Sequence, residues 1–391
     1  MKILQVNKFL KPVGGAETYM FSLANALKEL DHEVEFWGMY DEDNSVDDTY
    51  NTFVRNIKLN GKKPMVNYIN EAFNLIYSFK NKNKFKKIIS LFQPDVIHVH
   101  NFNYQLTPSF LSEAKKAGIR VIHTIHDSQL VCPNHQLYIP HKNEICYKCI
   151  GGKYQNAVYN KCIKKSYAKS ALGMLESYIH HNILNTYNKY FNTLISPSNF
   201  YKKIVQTNIK KEIIRQPNFI HFDNPVQQER DNYVLYFGRI SSEKGVERLL
   251  KIFKKLDYKL ILVGKGDIKI ESNNNIEYLG PKYGQELISL IKKAKFTIHP
   301  SIWHDNFPMS ILESLAQGTP VIASNHSGFL ETINKTNGYL LDFDGVNIVE
   351  KMNTILSTND YLDVNRIALD ARKKYGKDDH VMEIINIYKR S

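Results

Sequence analysis

Short apolar runs alternate with segments of helical spacing along almost the whole chain, the pattern of parallel strands covered by helices. MKILQV ends at a turn carrying Gly14 and Gly15. AETYMFSLANALKEL follows with apolar residues three and four apart, and VEFWG returns as a strand. DVIHVH, IRVIHTIH and TLISPS continue the strand series. Between the last two lies a stretch rich in Cys and Tyr, then a helical pattern over ALGMLESYIHHNILNTYNKY. The second half restarts with YVLYFGRI, VERLLKIFKKL, KLILVG, ELISLIKKA, FTIHPS, MSILESLAQG and PVIAS.

Two βαβ series joined near Gln216 to Asn224 predict an α/β protein of two Rossmann-like domains, residues 1–216 and 217–391, facing across a cleft, with the last helix packing back on the first. Ligands of such sheets bind at the C-terminal ends of the strands, which places the expected site in that cleft.

The 391 residues, 43% hydrophobic and 23% charged, are enough for two cores and globular in composition. No run reaches the roughly 18 apolar residues of a spanning helix, and the first residues carry no cleavable leader pattern, so a cytoplasmic protein is expected. The net charge of +13 is uneven, +12 over residues 1–222 and +1 over 223–391. Lys80, Lys82, Lys84, Lys86 and Lys87 form one basic cluster, and a second runs from Lys161 to Arg215. A basic face suits a polyanion or an anionic bilayer. A general Lys bias is the competing explanation, which the neutral second half weakens.

Three groups of residues could carry chemistry. Gly14 and Gly15, between the first strand and first helix, let backbone approach a ligand beside free helix N–H groups, although tight turns use glycine for steric reasons alone. The dinucleotide pattern GxGxxG is absent. In FGRISSEKG, Arg239 and Lys244 put two positive charges at a strand end, suited to a diphosphate or to solvated surface. In HPSIWHDNFPMSILESLAQG, Asp305 sits in a turn, and Glu313 lies further along the next helix. There its carboxylate can accept from two vicinal hydroxyls, as on a ribose, or simply face water.

GGAE, DVIHVHN, TIHD, FGRISSEKG, VGKGD and a D-x7-E version of the E-x7-E motif occur, from residue 14 to about 325, in the order and spacing of the retaining glycosyltransferases of family four. The chain resembles that family, and its capsule, O-antigen and exopolysaccharide members in particular. The resemblance implies a GT-B fold and metal-independent transfer from a UDP- or GDP-sugar to a lipid-linked or polysaccharide acceptor. It implies amides of Gly14 and Gly15 on the donor diphosphate, with Arg239 and Lys244 neutralising it, and Gly238, Gly264 and Gly280 framing the nucleotide. Glu313 would take the ribose, and His126 of TIHD the donor sugar. Asp305 would stand as the first acidic residue of the motif, with Phe307, Met309 and Ser310 beside the sugar.

Two departures bear on sugar choice. Asp305 is one methylene shorter than the usual Glu, and Pro308 replaces a Gly and removes an amide, leaving Met309 or Ser310 to substitute. The acidic strings at Asp41 to Asp43 and Asp342 to Asp344 read as turns rather than metal sites. Cys132, Cys146, Cys149 and Cys162, spaced C-x13-C-x2-C-x12-C in an insert over about 128–165, suit a structural zinc, or reduced thiols packed as small apolar residues.

Against a transferase stand a non-catalytic nucleotide-sugar or polyanion-binding module and an epimerase of the same fold. Joint presence of Arg239, Lys244, Glu313 and His126 argues against the first. A nucleic-acid partner is not expected, because no RRM or zinc-finger spacing is present. The basic first half predicts peripheral association with the inner face of the cell membrane.

Overall fold

A computed structural model describes the chain apart from residues 57–64, 223–225, 227–228, 359–361 and 391, and apart from the side chains of 65–69. Part of the linker read from the sequence, 223–224, lies outside the described residues. The chain divides into two compact units. One comprises Met1–His141, Cys146–Pro217 and Asp378–Ser391, the other Lys142–Ile145 and Asn218–Lys377.

The first unit is built on a six-stranded sheet of β1 (Lys2–Val6), β2 (Glu33–Trp37), β3 (Val96–Val99), β4 (Arg120–Thr124), β5 (Thr193–Ser196) and β6 (Ile213–Arg215), in the order β2-β1-β3-β4-β5-β6. All pairings are parallel. The central strands are buried on both faces, so they read as continuous apolar runs rather than alternating ones. The core includes Leu4, Val6, Trp37, Phe85, Ile97, Phe102 and Phe110. Helix α1 (Gly15–Glu29) follows β1 and buries Tyr19, Met20, Leu23 and Leu27.

The second unit repeats the plan with β7 (Tyr233–Phe237), β8 (Lys259–Val263), β9 (Ile276–Tyr278), β10 (Phe296–His299), β11 (Val321–Ser324) and β12 (Gly338–Leu341), in the order β9-β8-β7-β10-β11-β12. The strand order reverses between β7 and β10, which makes the ends of those two strands the sheet's switch point. Helix α2 (Val246–Phe253) follows β7, and α3 (Met309–Ala316) follows β10. The chain then returns. Helix α4 (Lys377–Lys389) lies, from Asp378 on, within the first unit, where it buries His380, Ile384, Ile385 and Tyr388.

The single helical pattern read over residues 171–190 is broken in the structure. An α-helix over Tyr167–Tyr178 passes into a π-turn at Ile179–Ile183, and a separate short helix runs Thr186–Tyr190 after Asn185 in the left-handed region, φ 46°. His180 is the cause. Its ring is wholly buried and hydrogen-bonds the Ile76 carbonyl at 2.8 Å and Thr186 Oγ1 at 3.0 Å, contacts that a continuous helix would not align.

Candidate functional site

In the second unit the loops after β7 and β10 meet at the switch point. Gly245, φ 74°, ends the turn after β7, and a side chain there would drive a Cβ to 1.9 Å from the Pro300 carbonyl. Glycine is therefore what lets the Arg239–Lys244 loop lie against the start of the Ser301–Pro308 loop. Arg248 locks the two together, donating to the carbonyl of Ser301 at 2.8 Å and to Ser324 Oγ at 3.1 Å. The amide of Ile302 donates to the Glu243 carbonyl at 2.9 Å.

This closure brings Lys244 and Asp305 together. Lys244 Nζ lies 2.5 Å from Asp305 Oδ1, while Ser301 Oγ donates to Oδ2 at 2.5 Å and Trp303 Nε1 to Oδ1 at 3.3 Å. The ammonium also stands 5.3 Å from the centre of the Trp303 ring. Burial works against the Asp305 charge, but the Lys244 charge and these donors together hold its pKa below the usual carboxylate value. Arg239, by contrast, is exposed and only loosely paired, 3.6 Å from Glu243. Its guanidinium is free to meet an anionic ligand.

Helix α3 begins at Pro308, which offers no amide, so the first helical N–H groups are those of Met309 and Ser310. Glu313 lies one turn further on. Its carboxyl is half-buried, has no hydrogen-bond partner among the described residues, and is pushed up by desolvation to about 7. A carboxylate left without donors at this depth carries a desolvation cost that any hydroxyl donor would offset. The Phe307 side chain does not line the site. It is 3% exposed and packs on Tyr375, and only its carbonyl is engaged, accepting from Asn218 at 2.8 Å.

Gly238, Gly264 and Gly280 stack at the C-terminal ends of β7, β8 and β9, joined by Gly238 N to Val263 O and Gly264 N to Gly280 O, each 3.0 Å. Gly264 has φ 145°, and a Cβ on it would lie 1.8 Å from the Gly238 carbonyl. The result is a flat backbone floor.

His299 and His304 lie in the HPSIWHDNFP segment without a role read from the sequence, and His326 lies beyond it. All three rings gather near Asp305, and burial holds them neutral, His299 at about 3 and His304 at about 4. His299 Nε2 is buried and has no partner. Arg248 was also missed, because its partners are mostly carbonyls that no motif records.

In the first unit, Gly14 caps α1, and Gly15 is its exposed first residue, so free amides are present there. Beneath the turn, Glu17 is buried and accepts from Asn7 Nδ2 at 3.0 Å. Lys8 and Asp127 lie close enough to interact, and burial raises Asp127 to about 6. His126, at the end of β4, is half-buried, and desolvation holds its ring neutral, at about 3. Its Nε2 is 2.9 Å from His100 Nδ1.

The acidic strings behave as turns. Asp41 and Asp43 pair with Lys11 at 2.7 and 3.2 Å, and Asp344 pairs with Arg248 at 2.8 Å.

The four cysteines are reduced and interact electrostatically with one another around Cys149. Backbone amides of Asn134, Gln136 and Leu137 point at the Cys132 sulfur. As the side chains stand, however, no three His, Cys, Asp or Glu among the described residues converge to hold a metal ion. Cys149 and Cys162 pack in a small apolar cluster with Ile139, Tyr154 and Ala157, while Cys132 belongs to the main core. The donor chemistry suits zinc and the present spacing does not.

The model of Glycosyltransferase Family 4 matches residues 13–224, and that of Glycosyl transferases group 1 matches 218–375. An uncharacterized glycosyltransferase of Methanocaldococcus jannaschii is 29% identical over 180 residues, and this match spans 41% of the chain and about half, 46%, of that relative. An uncharacterized 42.6 kDa protein in the cps region of Klebsiella pneumoniae is 23% identical, covering 85% of this chain and 87% of that one. Among solved structures, HepE of Anabaena in complex with UDP-glucose superposes with a TM-score of 0.64 at 16% identity, covering 99% of each chain. The shared architecture is the GT-B fold.

Proposed function

The chain belongs to glycosyltransferase family 4, and from that premise we propose that it transfers a sugar, with retention and without a metal, from a UDP- or GDP-sugar to a lipid-linked or polysaccharide acceptor in the making of a cell-surface glycan. The observation that carries this reading is the arrangement at the second unit's switch point: exposed Arg239, Lys244 and an unpartnered Glu313 beside a glycine floor. Cations held at a strand end stabilise charge developing on a departing diphosphate, the role a metal would otherwise fill. The diphosphate oxygen can then accept the proton of the attacking acceptor hydroxyl on the same face of the sugar, so no side-chain base is needed. Glu313 would accept from the ribose hydroxyls, the floor of Gly238, Gly264 and Gly280 would take the base, and Met309 and Ser310 amides would meet the sugar. Within the first unit, the amides of Gly14 and Gly15 would suit a diphosphate and the ring of His126 a sugar hydroxyl.

The relative in a cps region supports a capsule-type product, and a neighbour solved with UDP-glucose supports a nucleotide-sugar donor. Among the described residues no helix is long and apolar enough to cross a membrane. We place the protein peripherally on the inner face of the cell membrane because the first unit exposes Phe73, Phe79, Leu175, Ile183 and Leu184 on the same half of the chain as its excess of Lys. The test is a panel of UDP- and GDP-sugars with a lipid-linked acceptor, read by release of nucleoside diphosphate and by the anomeric configuration of the product. Release from no donor under any acceptor condition, with donor binding intact, would favour the non-catalytic module.

A further inference from the structure

We propose that His126 is held as a single tautomer, with the proton on Nε2 and a lone pair on Nδ1, by a one-directional chain of hydrogen bonds that starts at the Pro217 carbonyl and is completed by helix α4. This rests on the donor-binding role proposed for His126. The chain lies wholly within the first unit.

At its inner end His380 Nε2 is 2.9 Å from the Tyr19 hydroxyl and Nδ1 is 3.1 Å from the Gln216 amide, and the ring also bonds the Pro217 carbonyl, a contact we assign to Nδ1 because Nε2 is taken by Tyr19. A carbonyl can only accept, whereas the Gln216 amide can turn its oxygen inward, so Nδ1 carries the proton and Nε2 accepts from Tyr19. Tyr19, its proton committed, accepts from Thr124. Thr124 Oγ1 in turn accepts from His98 Nε2 at 2.7 Å, which leaves His98 Nδ1 to accept from the Tyr388 hydroxyl, also at 2.7 Å. Tyr388 then meets the NH2 group of Gln5. That contact falls short of a full hydrogen bond, since Gln5 Nε2 has no well-aligned partner. Gln5 Oε1 accepts from His100 Nε2 at 2.8 Å, so His100 Nδ1 is the acceptor and His126 Nε2 the donor across their 2.9 Å contact.

Each group in this chain fixes the next, except that the Tyr388–Gln5 step is a close contact rather than an aligned hydrogen bond. The orientation of Gln5, with Oε1 toward His100, agrees with the direction set at Pro217 once the Gln216 amide is turned. Every ring but that of His126 is buried, so the chain opens only there. His126 Nδ1 then presents an acceptor suited to a sugar hydroxyl. If the chain ran in reverse, His126 would present an N–H instead, and the sugar hydroxyl would have to accept there rather than donate. Gln5, His98, His100, Thr124, Tyr19, Tyr388 and His380 are thus positioning residues, and two of them belong to the helix that returns from the far end of the sequence.

The test is the tautomer itself, read in the full-length, ligand-free protein by nitrogen-15 shifts of labelled histidine, with His126→Gln identifying the signal. Wild type should show the Nε2–H form. Tyr388→Phe removes both the donor to His98 and the acceptor of Gln5, and the His126 signal should move toward the Nδ1–H form, with donor KM raised about tenfold and kcat changed less. Adding Gln5→Glu to that variant forces His100 to donate, because a carboxylate can only accept, and should restore the Nε2–H signal. A wild-type Nδ1–H form, or a folded Tyr388→Phe protein with an unchanged His126 signal, would overturn the proposal. The tautomer is measured without donor, so a correct tautomer without transferase activity would instead count against the functional reading.

Discussion

Lys244 and Asp305, 61 residues apart, form an ion pair of 2.5 Å at the point where the loops after β7 and β10 converge. The pair keeps a buried carboxylate charged, a task Arg239 does not share; in the proposed function both residues would also serve as cations for the donor. The two residues should therefore separate on substitution. Lys244→Ala leaves Asp305 unpaired and should cost about 3 kcal/mol of stability. Arg239→Ala should change stability by less than about 0.5 kcal/mol. Both should lower turnover by on the order of 10²-fold. Thermal unfolding alongside initial rates checks this, and equal destabilisation by the two variants would contradict the division of roles.

If Glu313 holds the ribose as proposed, donor binding should depend on pH. Its carboxyl is raised from 4.5 to about 7 because burial penalises the charge. The folding cost of ionising it is absent below the unfolded value and grows as pH rises toward about 7. Ribose hydroxyls compensate only the ionised form, so donor affinity should strengthen with rising pH, by about tenfold between pH 5.5 and 8. Nucleotide-sugar titrations across that range measure the slope. Glu313→Gln should bind more weakly and with a flat profile, and a slope that survives the substitution would assign it to another group.

Much of the fold was legible because parallel strands buried on both faces appear as unbroken apolar runs, as in VIHV of β3 and FTIH of β10. Gly264 was named only through the family resemblance and Gly245 only as the end of FGRISSEKG, and the close backbone approaches that require glycine at both were not legible. The site's charged residues could be named one by one, yet their pairing could not, since Lys244 meets Asp305 only after two distant loops close. The break at His180 was hidden because a π-turn keeps helical spacing in the sequence. The chain ending at His126 was hidden more deeply, for it joins Gln5, His98 of β3, His100 just beyond that strand and helix α4 through hydrogen bonds that leave no periodic signal.

The cysteine insert carries a proposal of its own, a structural zinc. Four mutually interacting thiols and the amides aimed at the Cys132 sulfur favour it, and the absence of a converged set among the described residues means the ion would have to draw the side chains together. Freshly prepared, reduced protein should contain about one zinc per chain, and a chelator should expose the insert to proteolysis before donor binding is lost. Metal analysis without stoichiometric zinc would leave Cys149 and Cys162 as the apolar packing residues they resemble here.

The basic cluster on the helix over Phe79–Phe92 is less uniform than the sequence implied, and this sharpens the membrane test. Lys82 pairs with Glu113 at 3.4 Å, and Lys84 donates to the Phe53 carbonyl, so both hold the fold together. Lys80, Lys86 and Lys87 are exposed, as are Phe79 on the same helix and Phe73 on the preceding one. Each free lysine near an anionic bilayer contributes about 1 kcal/mol and is screened by salt. Reversing Lys80, Lys86 and Lys87 to Glu should therefore weaken binding to anionic liposomes by about 10²-fold or more at low salt, with unchanged thermal stability and unchanged donor hydrolysis. Lys82→Glu should instead lower stability, because it sets two carboxylates against each other at Glu113. Vesicle co-sedimentation with anionic and neutral lipids reads the first effect and thermal unfolding the second. Equal binding to both vesicle types, or binding untouched by the triple reversal, would remove the electrostatic basis for placing this protein on the membrane.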